Sequence, residues 1–96
     1  MMRLSYSPAA RRDLKSIYKQ SGRQFGAEQA DRYREGLLQA LRFIAEHPLA
    51  SPEHVGYRRP IRYHLYQSHL IFYAVEGDVL QIVRVMHQQQ DWQAIL

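Results

Sequence analysis

The stretch His69-Leu-Ile-Phe-Tyr-Ala-Val-Glu-Gly-Asp-Val-Leu-Gln-Ile-Val-Arg-Val-Met-His-Gln-Gln-Gln-Asp91 decides the fold. Two apolar runs, His69–Val75 and Val79–Met86, flank a turn centred on Gly77-Asp78, the signature of a β-hairpin. The second run carries a lone arginine, Arg84, and then ends in a polar string, His87-Gln-Gln-Gln-Asp91. A guanidinium buried without a partner costs several kcal/mol, so Arg84 must pair with a carboxylate or turn toward an open groove with His87 beyond it. Pairing is the expected arrangement, because single arginines in strands are more often held than exposed.

Upstream of the hairpin, Ile61, Tyr63 and Leu65 alternate with Arg62, His64 and Tyr66. That period of two predicts a half-buried strand running from Arg58 onward, with Gln67-Ser68 as the tight turn into the next. Leu49–Gly56, punctuated by Ser51-Pro52, reads as a loop. Before it lies a helical pattern from about Ala27 to His47, with Ala30, Tyr33, Leu37, Leu41 and Ile44 on one stripe and Pro48 as the stop. An earlier helix begins at Ser7-Pro8, where serine caps and proline loses no hydrogen bond, and ends near Ser21-Gly22. Arg3–Tyr6 is a short β-prone opening, and Trp92, Ile95 and Leu96 have helical spacing at the other end.

The expected architecture is α+β: a short N-terminal strand, a helix hairpin, and a three-stranded antiparallel meander forming one sheet. Both helices lie on one face of it, a short C-terminal helical turn follows, and residues 1–96 form a single domain. The opposite sheet face is expected to stay partly open as a concave polar surface. Tyr18, Tyr33 and Tyr73 are assigned to half-buried core positions with their hydroxyls at the surface.

An apolar fraction of 46% against 23% charged residues is that of a globular chain, which excludes disorder. With no cysteine, a disulfide framework and thiolate chemistry are excluded. Met1-Met-Arg-Leu-Ser5 lacks the apolar core of a signal peptide and no run reaches membrane-spanning length, so the expected location is the cytoplasm. Neither a metal site nor a nucleotide cofactor is expected, because no histidine–carboxylate spacing fits a metal and the five glycines stand singly. The net charge of +4, with Arg58, Arg59 and Arg62 within five residues, suits an acidic partner.

Candidate groups for phosphodiester chemistry are Arg58, Arg59, Arg62, Arg84, His64, His69 and His87. The plainer reading makes the histidines ordinary strand residues. Tyr66 and His64 share a strand face with Arg62, the composition of a contact patch for protein or nucleic acid.

The ordered set H-x-I-x-Y, a Gly-Asp turn and I-x-R-V-M-H-x-x-x-D resembles the ParE branch of the RelE/ParE toxins of bacterial toxin–antitoxin pairs. Leu4-Ser-Tyr-Ser-Pro-Ala-Ala-Arg-Arg-Asp-Leu14, the helix end Ala45-Glu-His-Pro48 and Gly56-Tyr-Arg58 extend the resemblance over nearly the whole chain. Gln90, where relatives often carry an apolar residue, and Pro60, beside the arginines, depart from the pattern. The resemblance implies a type II toxin that binds and poisons DNA gyrase without catalysis of its own, neutralised by a cognate antitoxin. It directs attention to Arg58, Arg59, Arg62, His64, Tyr66, Arg84, His87, Asp91 and Trp92 as residues contacting target or antitoxin. The alternative is a ribosome-dependent mRNA endonuclease of the RelE branch. Nucleases of that branch often carry tyrosine or arginine near the C-terminus, whereas His87 is followed here by Gln88 and the tail has no basic residue.

Overall fold

A computed structural model describes residues 2–54 and 56–96; Met1 and, within the expected loop, Val55 lie outside the described residues. The chain runs β1 (Arg3–Tyr6), α1 (Pro8–Phe25), α2 (Ala27–Glu46), β2 (Glu53–His54), β3 (Ile61–Tyr66), β4 (His69–Glu76), β5 (Val79–His87) and α3 (Trp92–Ile95). The class is the expected α+β. The sheet, however, has five strands in the order β1-β5-β4-β3-β2.

β1 lies parallel to β5, with Leu4 opposite Leu80 and Tyr6 opposite Ile82. β5 is therefore a central strand, and its apolar composition follows from the cover on both faces of the sheet, Leu80, Ile82 and Val85 facing one cluster and Val83 and Met86 the other. The hairpin turns at Gly77, whose φ of 59° is the left-handed value that glycine adopts without strain. Ser7 caps α1 as expected: its Oγ accepts from the Ala10 N–H at 3.0 Å and donates to the Val83 carbonyl at 2.6 Å. That carbonyl belongs to a bulge, since β4 pairs Phe72 with Arg84 but Tyr73 with Ile82, leaving Val83 as the extra residue.

Three boundaries differ from the sequence reading. α1 does not stop near Ser21-Gly22 but continues to Phe25, and the chain breaks at Gly26, whose φ is 86°. A Cβ at Gly22 would stand 3.9 Å from the Ala30 methyl, an ordinary contact, so the helix runs through this glycine without a steric demand for it. β3 starts at Ile61, after Pro60, and not at Arg58. The loop Leu49–Gly56 contains β2, which pairs Glu53 with Arg62 and His54 with Ile61.

Both helices cover one face of the sheet. Ala10 of α1 and Leu37, Leu41 and Ile44 of α2 pack with Ile71, Tyr73, Leu80, Ile82 and Val85. The opposite face is not the open polar surface expected. Ile61, Leu70, Phe72, Ala74, Val83 and Met86 form a second apolar cluster there, roofed by Tyr57, Tyr63, Trp92 and Leu96. Tyr73 is fully buried rather than half-buried, and its hydroxyl donates to the Pro48 carbonyl at 2.8 Å.

Candidate functional site

Two depressions flank the helix hairpin, and Ile17 and Tyr33 form part of the wall of both. The first is a polar cleft of about 730 Å³ between α1, the start of α2, the β3–β4 turn and the end of β5. His69 and His87 face each other across β4 and β5, as paired residues with ring centroids 5.4 Å apart in an edge-to-face arrangement. Tyr33 reaches down from α2, and its hydroxyl bonds to Nδ1 of His69. Burial and the neighbouring Tyr66 push the Tyr33 phenol up to about 12, against a lowering contribution from the Ser68 hydroxyl. Burial, then the proximity of His87, lowers the pKa of His69. The cluster is therefore neutral at physiological pH on the Tyr33–His69 side.

The hydrogen bonds also assign one tautomer. A backbone N–H only donates, so Nδ1 of His87, 3.1 Å from the Gln89 nitrogen, is the unprotonated acceptor and the ring carries its proton on Nε2. Tyr33, kept protonated, shares a hydrogen bond with Nδ1 of His69. The tail is folded back over this arrangement, with the His87 N–H donating to Gln90 Oε1 at 3.0 Å. Gln90, the departure noted in the sequence, closes that turn.

Arg84 lies at the cleft floor and is paired. Its Nε and Nη2 donate to the two carboxylate oxygens of Asp13 at 2.7 and 2.9 Å, and the Val85 N–H donates to the same carboxylate at 2.9 Å. The bidentate bond to Asp13 raises the Arg84 pKa further. Asp13 was not singled out by the sequence reading, which had no means of linking residues 71 positions apart.

The remaining candidates do not gather at the cleft. Arg62, His64 and Tyr66 share a strand face, as the alternation implied, but that face is turned under α2. Arg62 donates to the Ser51 carbonyl at 2.7 Å and to Glu53 at 3.1 Å. His64 stacks near Phe43, with centroids 5.6 Å apart, and burial lowers its pKa. Tyr66 packs edge-on against Tyr33 at 5.2 Å. Arg59 points to the hairpin end of the sheet, donating to Glu76 at 3.0 Å and to Gln81. Arg58 is exposed and lies over the Tyr57 ring, 5.6 Å from its centroid. Trp92, at the start of α3, packs on Phe72 and His54 on the sheet face opposite α1 and α2, with Asp91 exposed before it. The three neighbouring arginines are therefore not one patch.

The second depression, of about 710 Å³, runs between α1 and α2. Leu14, Leu37, Leu38 and Leu41 give it an apolar floor, and Arg11, Arg12, Lys15 and Arg34 give it a basic rim. Tyr18 lies in it with its hydroxyl donating to Asp31 at 2.7 Å. Among the described residues no group of three histidines or acidic residues is placed to hold a metal, and no helix is long and apolar enough to cross a membrane.

Comparison with known proteins agrees with this architecture. The family described as the ParE toxin of the type II toxin–antitoxin system, parDE, matches residues 4–92. Toxin ParE1 of Caulobacter vibrioides is 37% identical over 94 residues, covering 94% of this chain and 93% of that protein. Toxin ParE1 of Mycobacterium tuberculosis is 33% identical over 86 residues, 88% of each chain. A solved structure of the chromosomal ParDE TA system from P. aeruginosa superposes with a TM-score of 0.76 at 19% identity, over 91% of this chain and 96% of that one, a likeness of fold.

Proposed function

The chain belongs to the ParE family of toxins of type II toxin–antitoxin systems, and from that membership we propose that it acts by binding, poisoning DNA gyrase without catalysis of its own. The observation that carries the binding reading is the commitment of Arg84. Stabilising a phosphorane-like transition state takes a cation aimed at the developing charge and an acid–base pair free to titrate. Here the cleft guanidinium already holds both oxygens of Asp13, and Nδ1 of each imidazole is engaged in an internal hydrogen bond. The chromosome is the workplace of gyrase, so the proposed site of action is the cytoplasm.

We also propose neutralisation by a cognate antitoxin, and the second depression supports it. An apolar floor with a rim of four cations fits an amphipathic, acidic segment that folds as it binds. Such wrapped complexes bury on the order of 1,600 Å² or more. Co-expression with the neighbouring reading frame should raise the soluble yield and abolish toxicity. A pull-down in which that product leaves the toxin unbound would remove the antitoxin from the scheme.

The direct test is gyrase itself. Purified protein with ATP should inhibit supercoiling and trap cleaved plasmid. The Tyr33–His69–His87 array supports one competing reading, the ribosome-dependent mRNA endonuclease. Cutting of ribosome-bound mRNA with gyrase untouched would establish that one instead.

A further inference from the structure

The polar cleft has an unusual lining. Five glutamines and three serines contribute to its walls, while Asp13 and Arg84, its carboxylate and its guanidinium, neutralise each other. His87 adds a further N–H donor, because its Nδ1 is occupied as an acceptor and its proton stands on Nε2, while His69 has its Nδ1 engaged with Tyr33 and its Nε2 left for hydrogen bonding. Such a surface offers many hydrogen bonds and almost no net charge. A nucleic-acid backbone would find no uncommitted cation among these walls, whereas a peptide main chain is neutral and alternates donors with acceptors along its length.

A second, independent feature marks the same place. Gln67, in the two-residue turn between β3 and β4, has φ of 51°, the left-handed region that glycine or asparagine occupies at less cost. The turn carries this strain on a glutamine whose side chain lines the cleft and donates to the Tyr66 hydroxyl at 3.2 Å. Strain kept at a residue that the fold alone would replace by glycine points to a role for its side chain.

We propose that this cleft receives an extended, uncharged segment of gyrase, read through main-chain carbonyl and amide groups by Gln20, Gln24, Gln67, His69 and His87. The inference rests on the gyrase reading above and gives that reading its contact surface. The basic groove between the helices is left to the antitoxin, so the toxin has one charged and one neutral binding surface on either side of the Ile17–Tyr33 wall.

The test is a comparison of two partners with one variant. Gln67→Gly relieves backbone strain, and Gln20→Ala and Gln24→Ala are exposed helix positions where alanine is at least as favourable, so the triple variant should melt no lower than the wild type. Its affinity for intact gyrase should fall about tenfold or more, the effect of losing two to three hydrogen bonds, with antitoxin affinity unchanged. Wild-type binding to gyrase should also vary little between about 50 and 500 mM salt, while antitoxin binding weakens over that range. A triple variant that binds gyrase as tightly as the wild type overturns the proposal and leaves the gyrase reading standing. If instead the antitoxin is lost, or cleavage of ribosome-bound mRNA, the cleft belongs to that ligand and the proposal is again overturned. Wild-type protein that does not bind gyrase at all overturns the reading, and the proposal with it.

Discussion

Asp13 answers the question that Arg84 poses in the sequence. An arginine in an apolar strand demands a carboxylate, and the alternation of β5 makes that demand legible; which carboxylate answers is a matter of tertiary structure. The same carboxylate also satisfies the Val85 N–H, so it holds three hydrogen bonds at the place where the bulge at Val83 disturbs the β4–β5 ladder. Asp13→Ala should therefore cost about 2 kcal/mol, a value discounted for the partial exposure of the pair, and should lower the melting temperature visibly. Arg84→Met should lower both stability and toxicity. An unchanged melting temperature in either variant would mean that the pair does not hold the sheet to α1.

The two histidines with lowered pKa values give a second residue-scale expectation. His64 and His69 are both shifted below 6.5 chiefly by burial. The unfolded chain binds their protons more readily, so their contribution to stability is full above about 6.5 and is lost as the pH falls from there through the depressed folded values. Thermal melts should show the midpoint declining on acidification from pH 7 to pH 5, and His69→Gln should flatten that slope. A midpoint independent of pH over this interval would contradict the burial of these rings. Tyr33, pushed up to about 12, acts at the other end: its contribution is present below 10 and is lost as the pH rises from 10 toward 12.

At the scale of elements, periodicity reads well where an element is long and one-faced. α2 and the β4–β5 hairpin are of that kind, and the apolar stripe of α2 is the one that packs. β2 was beyond reach because two residues hold no period; it exists because Arg62 fastens the preceding segment through the Ser51 carbonyl and Glu53. The end of α1 was misplaced because Gly22 looks like a terminator, whereas the helix continues through it and the break falls at Gly26, whose φ is positive. The arginines misled for a related reason: neighbours in sequence within a turn of chain point to different ends of the sheet.

Gly36 shows the same principle in α2. A Cβ there would lie 2.8 Å from Cζ of Tyr66, whose ring is held in place against Tyr33. Helix propensity alone would reward Gly36→Ala by about 1 kcal/mol. The steric cost should exceed this, for a net loss of about 1 kcal/mol or more. Combining it with Tyr66→Ala should cost less than the sum of the two single changes, as expected when one substitution removes the clash created by the other. Additive losses would show that the ring does not limit the helix.

For the molecule as a whole, the charge of +4 is less informative than its placement. α1 and α2 together carry eight basic and five acidic residues, and the rim of the groove between them gathers Arg11, Arg12, Lys15 and Arg34. The cluster that stood out in the sequence is mostly spoken for: Arg59 and Arg62 hold loops and strand ends, and among the described residues only Arg58 of the three pairs with no carboxylate. Arg58→Ala should leave the melting temperature unchanged, whereas Arg59→Ala and Arg62→Ala should each lower stability by up to about 1 kcal/mol. Equal melting temperatures for all three variants would return the cluster to the surface-patch reading.

The position of β5 in the middle of the sheet also governs when the protein comes into being. It is the last strand to be made, yet β1, β4 and, through Asp13, the first helix all depend on it. During synthesis the chain emerges with its helices and the first strand lacking their common support, and β1 cannot join the β2–β3–β4 strands until β5 has left the exit tunnel. A chain that stops before Val79 lacks the strand that joins β1 to β4 and leaves Asp13 without its guanidinium.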